Sequence, residues 1–304
     1  MGILQIALFG SVHVTHNDWL TEITITREIQ ALLAYLLLHS QRLHSREVLA
    51  DIFWGDYREG RARGSLNTAL WKLKKALEPE GIPAGTYLKN THLGGVGFNR
   101  ESQYWLDIEV FESEINRILI CPFQTAEETH LIDLEKVLGL YKGELLEGVY
   151  KDWALRERER LRALYLKSLI YLLQYYGFHG VYERAITYGQ QILDLDPLRE
   201  EIHREMMRLY LQNRQRALAV RQYEICRSIL AKELGISPME DTQALYTQIF
   251  TRGDRNGSPV IPKEQISVDQ VLRELRDASQ TIDLAKEQIQ QAVQMISTYS
   301  EHPD

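Results

Sequence analysis

Between Arg58 and Lys75 the sequence reads REGRARGSLNTALWKLKK, and six basic residues stand there against one acid, Glu59, in a chain whose formal charge is −7. With Leu66, Ala69 or Leu70, Leu73 and Leu77 turned inward on a helix, Asn67, Thr68, Trp71, Lys72 and Lys75 share the outer side. Amide and hydroxyl groups read base edges and ammonium groups hold phosphates, so this set has the chemistry of a contact with duplex DNA in the major groove. Arg61 and Arg63, in the lead-in to the helix, are expected to meet the phosphate backbone. A second group, Lys89, Asn90, Thr91 and His92, falls in a hairpin and is expected to lie as a wing near phosphates.

Basic residues on an amphipathic helix usually mark a solvated face. What favours contact here is position: the helix follows a shorter helix by a turn, precedes a hairpin, and carries Trp, Asn and Thr among its charges. Catalytic alternatives are thin. Cys121 and His130 near Glu127 and Glu128 match no metal-ligand or nucleophile spacing, there is no HExxH, and no catalytic residue, metal or cofactor is expected. The two cysteines, Cys121 and Cys226, form no CxxC and no disulfide framework, which fits a reducing compartment.

Several elements must position that helix. Leu4 to Phe9 and Val12 to Val14 flank Gly10-Ser11 as two strands joined by a tight turn, and a third extended stretch is expected near Ile23 to Ile25. Thr26 is placed to cap a helix to about Ser40 with Ile29, Leu32, Leu33, Leu36 and Leu37 buried. Ser45 caps the next, with Val48, Leu49, Ile52 and Phe53 inward. Gly55 and Gly60 interrupt the pattern, and the third helix runs from about Ala62 to Leu77, stopped by Pro79, Gly81 and Pro83. Thr86 to Lys89 and Val96 to Asn99 close the module as a hairpin. Sheet, three helices and hairpin make an α+β winged helix-turn-helix.

From Asp107 onward the pattern is helical, broken near Cys121-Pro122, Gly143, Gly148, Gly177 to Gly180, Asp196-Pro197, Asn213 and Gly235 to Pro238. Helices opening at Tyr182 and Gln215 each end in a proline turn, a spacing close to the tetratricopeptide unit of about 34 residues. Residues 251–263 have linker composition. Beyond them Val268, Leu275, Ile282, Ile289 and Ile296 recur every seventh position, with Val271, Ala278, Ala285, Ala292 and Tyr299 three residues later. A helix over 264–300 would be roughly 55 Å long. Either it lies back on the helical domain or it forms a coiled coil with a second copy or another protein's helix.

At 304 residues the length suits about two domains, and 44% hydrophobic with 25% charged residues is ordinary for an ordered protein. The acidic balance excludes indiscriminate attraction to nucleic acid or anionic membrane, so any DNA site must be local. Met1 to Val14 lacks a basic leader and a small-residue cleavage site, no myristoylation signal follows Gly2, and the longest apolar run, Ala31 to Leu38, is too short to span a bilayer. A cytoplasmic protein without a membrane role is expected.

The segment from Arg27 to Leu77, with its SREVL, FWGD and ALWKLKKAL phrases, resembles the winged-helix output domain of the SARP-type bacterial transcriptional activators, themselves similar to OmpR-type outputs. Tyr150 to Trp153, Arg156 to Leu161, Asp196 to Glu201 and Lys232 to Pro238 resemble the bacterial transcriptional activation domain that follows it in that family. The resemblance implies that Ser65 to Lys75 enter the major groove and that Lys89 to His92 touch the minor groove or backbone. It also implies a partner in RNA polymerase. The sequence contains no GxxxxGK[ST] for a nucleotide-binding module, and no receiver domain is expected before the winged helix.

These readings give a mainly α chain: 1–105 a winged-helix DNA-binding domain, 106–250 a tetratricopeptide-like activation domain, 251–263 a linker and 264–300 a coiled-coil helix. Its expected function is sequence-specific regulation at promoter DNA. The competing expectation is a helical-repeat scaffold whose winged helix serves protein contact, and salt-dependent binding of duplex DNA separates the two.

Overall fold

Strand β1 (Leu4–Ala7) turns Leu4 and Ile6 to one face, where both are fully buried, and Gln5 and Ala7 to the other. The structure, a computed structural model, describes residues 2–16, 19–91 and 94–251. β1 pairs antiparallel with β2 (His13–His16), and β2 pairs with β3 (Trp19–Glu22) across an irregularity at Thr15/His16. On its other edge β1 pairs in parallel with β7 (Tyr104–Leu106), giving the order β3-β2-β1-β7. Two expectations shift here. The third strand precedes Ile23 rather than starting there, and Ile23 continues the ladder through its N–H to the Val14 carbonyl at 2.8 Å. The link around Gly10-Ser11 is wider than a tight turn, because Leu8, Phe9 and Gly10 leave β2 and bond elsewhere in the chain.

Three helices follow. All five expected apolar residues of α1 (Arg27–Leu38) are buried. Thr26 occupies its N-cap position but makes no side-chain cap bond. Ser45 does cap α2 (Arg46–Trp54), its Oγ accepting from the Val48 N–H at 3.2 Å. Within α2, Leu49 and Phe53 are buried and Ile52 is half-buried, whereas Val48 is 48% exposed and Trp54 lies inward instead.

The third helix, α3 (Glu59–Leu77), starts a turn earlier than expected. Gly60 and Gly64 cost helix propensity, but burial of Ala62 and Leu66 on the core side outweighs two exposed glycines. Arg61 and Arg63 therefore stand on the helix and not before it. The hairpin of β5 (Leu88–Asn90) and β6 (Gly95–Phe98) registers Leu88 with Phe98 and Asn90 with Val96, and β6 also pairs with the two-residue strand β4 (His44–Ser45).

The rest of the described chain is helical: α4 (Asp107–Ile118), a 3-10 turn at Phe123–Thr125, α5 (Glu128–Leu138), α6 (Asp152–Phe178), α7 (Tyr182–Leu195), α8 (Glu200–Gln212), α9 (Arg216–Leu234) and α10 (Glu240–Thr251). Breaks fall at the expected glycines and prolines, and Gly235 ends α9 in the left-handed conformation, φ 69°. The helices from α6 to α9 stack as consecutive antiparallel neighbours, the tetratricopeptide-like arrangement.

Residues 1–246 form one compact unit, and one hydrophobic core runs from the N-terminal sheet into α4–α8. The seam is polar as well as apolar. Asp107 is buried, and its carboxylate accepts the N–H groups of Leu8 at 2.8 Å, Phe9 at 3.0 Å and Ile108 at 2.8 Å. Burial pushes its pKa up, against the opposing pull of those N–H donors. Phe9 bridges to Leu145, and the Gly10 N–H donates to the Glu144 carbonyl at 2.9 Å, which is why the first turn is wide. Arg158 holds that same loop by donating to the carbonyls of Leu145, Leu146 and Val149 at 3.0–3.2 Å. The heptad positions Val268, Leu275, Ile282, Ile289 and Ile296 lie outside the described residues.

Candidate nucleic-acid interface

The core side of α3 is fixed by Leu66, Leu70, Leu73 and Leu77, so its polar residues divide around the remaining surface. Gly64, Thr68, Trp71 and Lys75 run along the outermost line. Arg61, Ser65 and Lys72 lie on the flank toward α1, where with Thr26, Glu28 and Tyr57 they border an open groove of about 430 Å³. Arg63 and Asn67 lie on the flank toward the start of α2, as their contacts with Glu47 and Arg46 require.

The expected contact residues of α3 each have a definite place. Arg61, Asn67, Thr68, Lys72 and Lys75 are exposed and Ser65 is half-buried. Trp71 is 60% exposed, a large apolar surface left in water at the centre of a cationic face, and the Lys75 ammonium lies 5.3 Å from its ring centroid. Arg61, Lys72 and Lys74 make no ion pair among the described residues. Arg63 stands 3.7 Å from Glu47, an exposed pair of little strength.

Some expected groups are already engaged. Thr68 returns its hydroxyl to the Gly64 carbonyl at 3.0 Å. Thr91 accepts the Gly95 N–H on its Oγ1 at 3.0 Å, closing the hairpin, and Lys89 pairs with Glu101 at 3.3 Å. These geometries give Thr91 a part in shaping the wing. His92 lies outside the described residues.

The residue that connects the two halves of this face was not among the expected contacts. Arg46, first in α2, donates from Nη1 to Asn67 Oδ1 at 2.5 Å and from Nη2 to Asn90 Oδ1 at 3.2 Å, tying α3 to the hairpin. A signal for it exists in the sequence: a cation directly after an N-cap serine opposes the helix dipole, where an acid is favoured. Among the described residues no three His, Cys, Asp or Glu side chains gather as a metal site, and no helix is long and apolar enough to cross a membrane.

Comparison with known proteins agrees with this architecture. Residues 106–250 match the family model of the bacterial transcriptional activator domain. The regulatory protein AfsR of Streptomyces coelicolor is 27% identical over 250 residues, which are 82% of this chain and 24% of that protein. The transcriptional regulatory protein MoaR1 of Mycobacterium tuberculosis is 24% identical over 231 residues, 74% of this chain and 72% of that protein. The chain thus spans about a quarter of the length of AfsR. Among solved structures, Mycobacterium tuberculosis EmbR, determined in complex with a low affinity phosphopeptide, superposes with a TM-score of 0.63 at 20% identity, over 83% of this chain and 66% of that one. At that identity the likeness is one of fold. With its winged-type N-terminal module and a match to the bacterial transcriptional activator domain behind it, the chain is similar to transcriptional regulators of the SARP type.

Proposed function

We propose that this protein is a sequence-specific transcriptional activator that binds promoter DNA through α3 and the β5–β6 hairpin. The observation that carries the reading is the outer face of α3: Arg61, Lys72 and Lys74 without carboxylate partners among the described residues, around an exposed Trp71, in a chain of net charge −7. Cations of this kind displace counterions from a duplex, and the exposed Asn67 carries an amide of the sort that bonds base edges. In this reading Arg61, Arg63, Ser65, Lys72, Lys75, Lys89 and His92 hold phosphate, while Asn67, Thr68 and Trp71 meet the groove and Thr91 shapes the wing.

The domain division belongs to the same proposal: 1–105 binds DNA, 106–250 braces that module and offers its outer surface to RNA polymerase or another regulator, and 264–300 assembles through its heptads, with itself or with another helix. A relative named as a regulatory protein and another named as a transcriptional regulatory protein support it, as does the activator-domain match. The reading is of a cytoplasmic, non-catalytic protein.

Selection of bound duplexes from a random library by the purified full chain, at two salt concentrations, tests it. The expected result is an enriched motif whose affinity falls steeply with salt. Absence of enrichment by a folded protein overturns the reading and favours a scaffold that uses the helical surfaces for protein contact. Deleting residues 264–304 should lower the sedimenting mass; an unchanged mass removes the self-association part.

A further inference from the structure

Arg46 does more than join two elements, because its chemistry dictates which way both asparagine amides point. A guanidinium carries five donors and no acceptor, so Asn67 and Asn90 can face it only with their oxygens, as the two bonds of 2.5 and 3.2 Å record. The amide nitrogen sits on the other arm of each carboxamide and is turned away from Arg46. Asn67 is exposed on α3, so this nitrogen is the part of its amide left to a ligand.

An asparagine that reads adenine uses both arms at once, accepting from N6 and donating to N7. With one lone pair of Oδ1 taken by a charge-assisted bond and the oxygen turned toward Arg46, Asn67 is left a poorer acceptor for adenine N6 while its donating half stays whole. Its neighbours on the same corner offer donors as well: the remaining N–H groups of Arg46, the Asn90 amide nitrogen, and the ammonium of Lys74 on the same helix flank. A corner made of donors matches acceptor edges. Guanine, with N7 and O6 both accepting in the major groove, fits it best, whereas adenine N6 and cytosine N4 present donors to donors.

We propose that Arg46 is a specificity-determining positioning residue: by fixing the amides of Asn67 and Asn90 oxygen-inward, it makes this corner of the interface select guanine over adenine. The inference rests on the DNA-binding reading above and adds to it which base is read and what sets that choice.

The test is a duplex selection with the full chain as wild type, Arg46→Ala, Arg46→Lys, Asn67→Ala and the Arg46→Ala/Asn67→Ala double variant, each checked by thermal melting. In the wild type one motif position should prefer guanine over adenine by at least about fivefold, the lower end of a base-edge contact. Arg46→Ala should move that position toward adenine and leave the rest of the motif standing, because the freed amide regains its acceptor. Arg46→Lys keeps the charge but lacks the fork that holds two amides, so it should shift the same position the same way. Asn67→Ala should erase the preference there, and the double variant should match Asn67→Ala. If both Arg46 variants keep the wild-type motif and weaken all duplexes equally, Arg46 is a phosphate contact only and the inference fails while the DNA-binding reading survives. If the wild type enriches no motif, both fail together.

Discussion

The guanidinium of Arg158 in α6 is 11% exposed, pairs with Glu144 at 3.4 Å and donates to three backbone carbonyls, whereas the ammonium groups of Lys72 and Lys74 in α3 stand in water without a carboxylate among the described residues. The same contrast runs through both regions. Arg162 donates to the Leu195 carbonyl at 2.6 Å, and Arg160 and Arg184 are paired with Glu112 and Glu135. These four cations of the helical module are therefore fasteners, and their partners lie within the chain. Lys72 and Lys74 of α3 have no such partner among the described residues, and under the proposed function duplex phosphates would supply it. Residue type cannot separate the two uses, but the presence of an internal acceptor does.

Breaking the fasteners should give the largest effects. Arg158→Ala leaves the carbonyls of Leu145, Leu146 and Val149 without their donor, and Asp107→Ala removes the acceptor of three buried N–H groups. Each substitution should cost about 2–4 kcal/mol in urea unfolding, within the range of broken buried networks. A loss below about 0.5 kcal/mol for both would mean that the seam between sheet and helical module is not held by these groups.

The opposite signature is expected in α3. Lys72→Ala and Lys75→Ala should leave stability within about 0.5 kcal/mol and lower the slope of log affinity against log salt by about 0.9 each. Lys75 gives up its place over Trp71, so its stability change should be the larger of the two. Titration of binding at four salt concentrations reads the slope; equal slopes for variant and wild type would move these lysines out of the interface.

Acid should act through buried histidines outside α3, which itself holds none. Burial is the first cause lowering the pKa values of His39, His44 and His203 below 6.5. Above 6.5 both folded and unfolded chains carry these rings neutral. As pH falls through 6.5 the unfolded chain takes up the protons first, so stability is lost on acidification. The cause at His203 is visible: its Nδ1 accepts from Gln222 at 2.7 Å and its Nε2 donates to the Pro197 carbonyl at 3.0 Å, leaving no acceptor for an added proton. The melting temperature should fall between pH 7.5 and 5.5. Gln222→Glu, which supplies a carboxylate to that proton, should flatten the fall; an unchanged profile would exclude His203 as a contributor.

Much of this comparison was legible in the sequence, and the illegible part has a common cause. Leucine spacing placed α1 and the core side of α3, and glycine and proline breaks placed the helices from α4 to α10. What escaped was set by partners distant in sequence. Strand β7 is three residues long and exists because β1 offers it an edge. Val48 lies outward because the buried stripe of α2 runs through Leu49, Ala50, Phe53 and Trp54, on the opposite side of the helix. The start of α3 was misplaced because two exposed glycines look like a break until the burial of Ala62 is known. Within the candidate interface, residue types flagged the outer face of α3, but not that Arg46 orients Asn67, since their bond spans 21 positions.

Gly64 gives the smallest effect and the sharpest separation of the two kinds of requirement. It sits on the outermost line of α3, its backbone is helical, and a Cβ added there would meet no atom within 4 Å. Nothing inside the protein asks for glycine, and alanine should stabilise the helix by up to about 1 kcal/mol. If this line approaches a duplex closely, the added methyl group intrudes on the contact and Gly64→Ala should bind DNA more weakly while melting at a higher temperature. A gain in stability with unchanged binding would place Gly64 outside the contact and confine the interface to the flanks that carry Asn67 and Lys72.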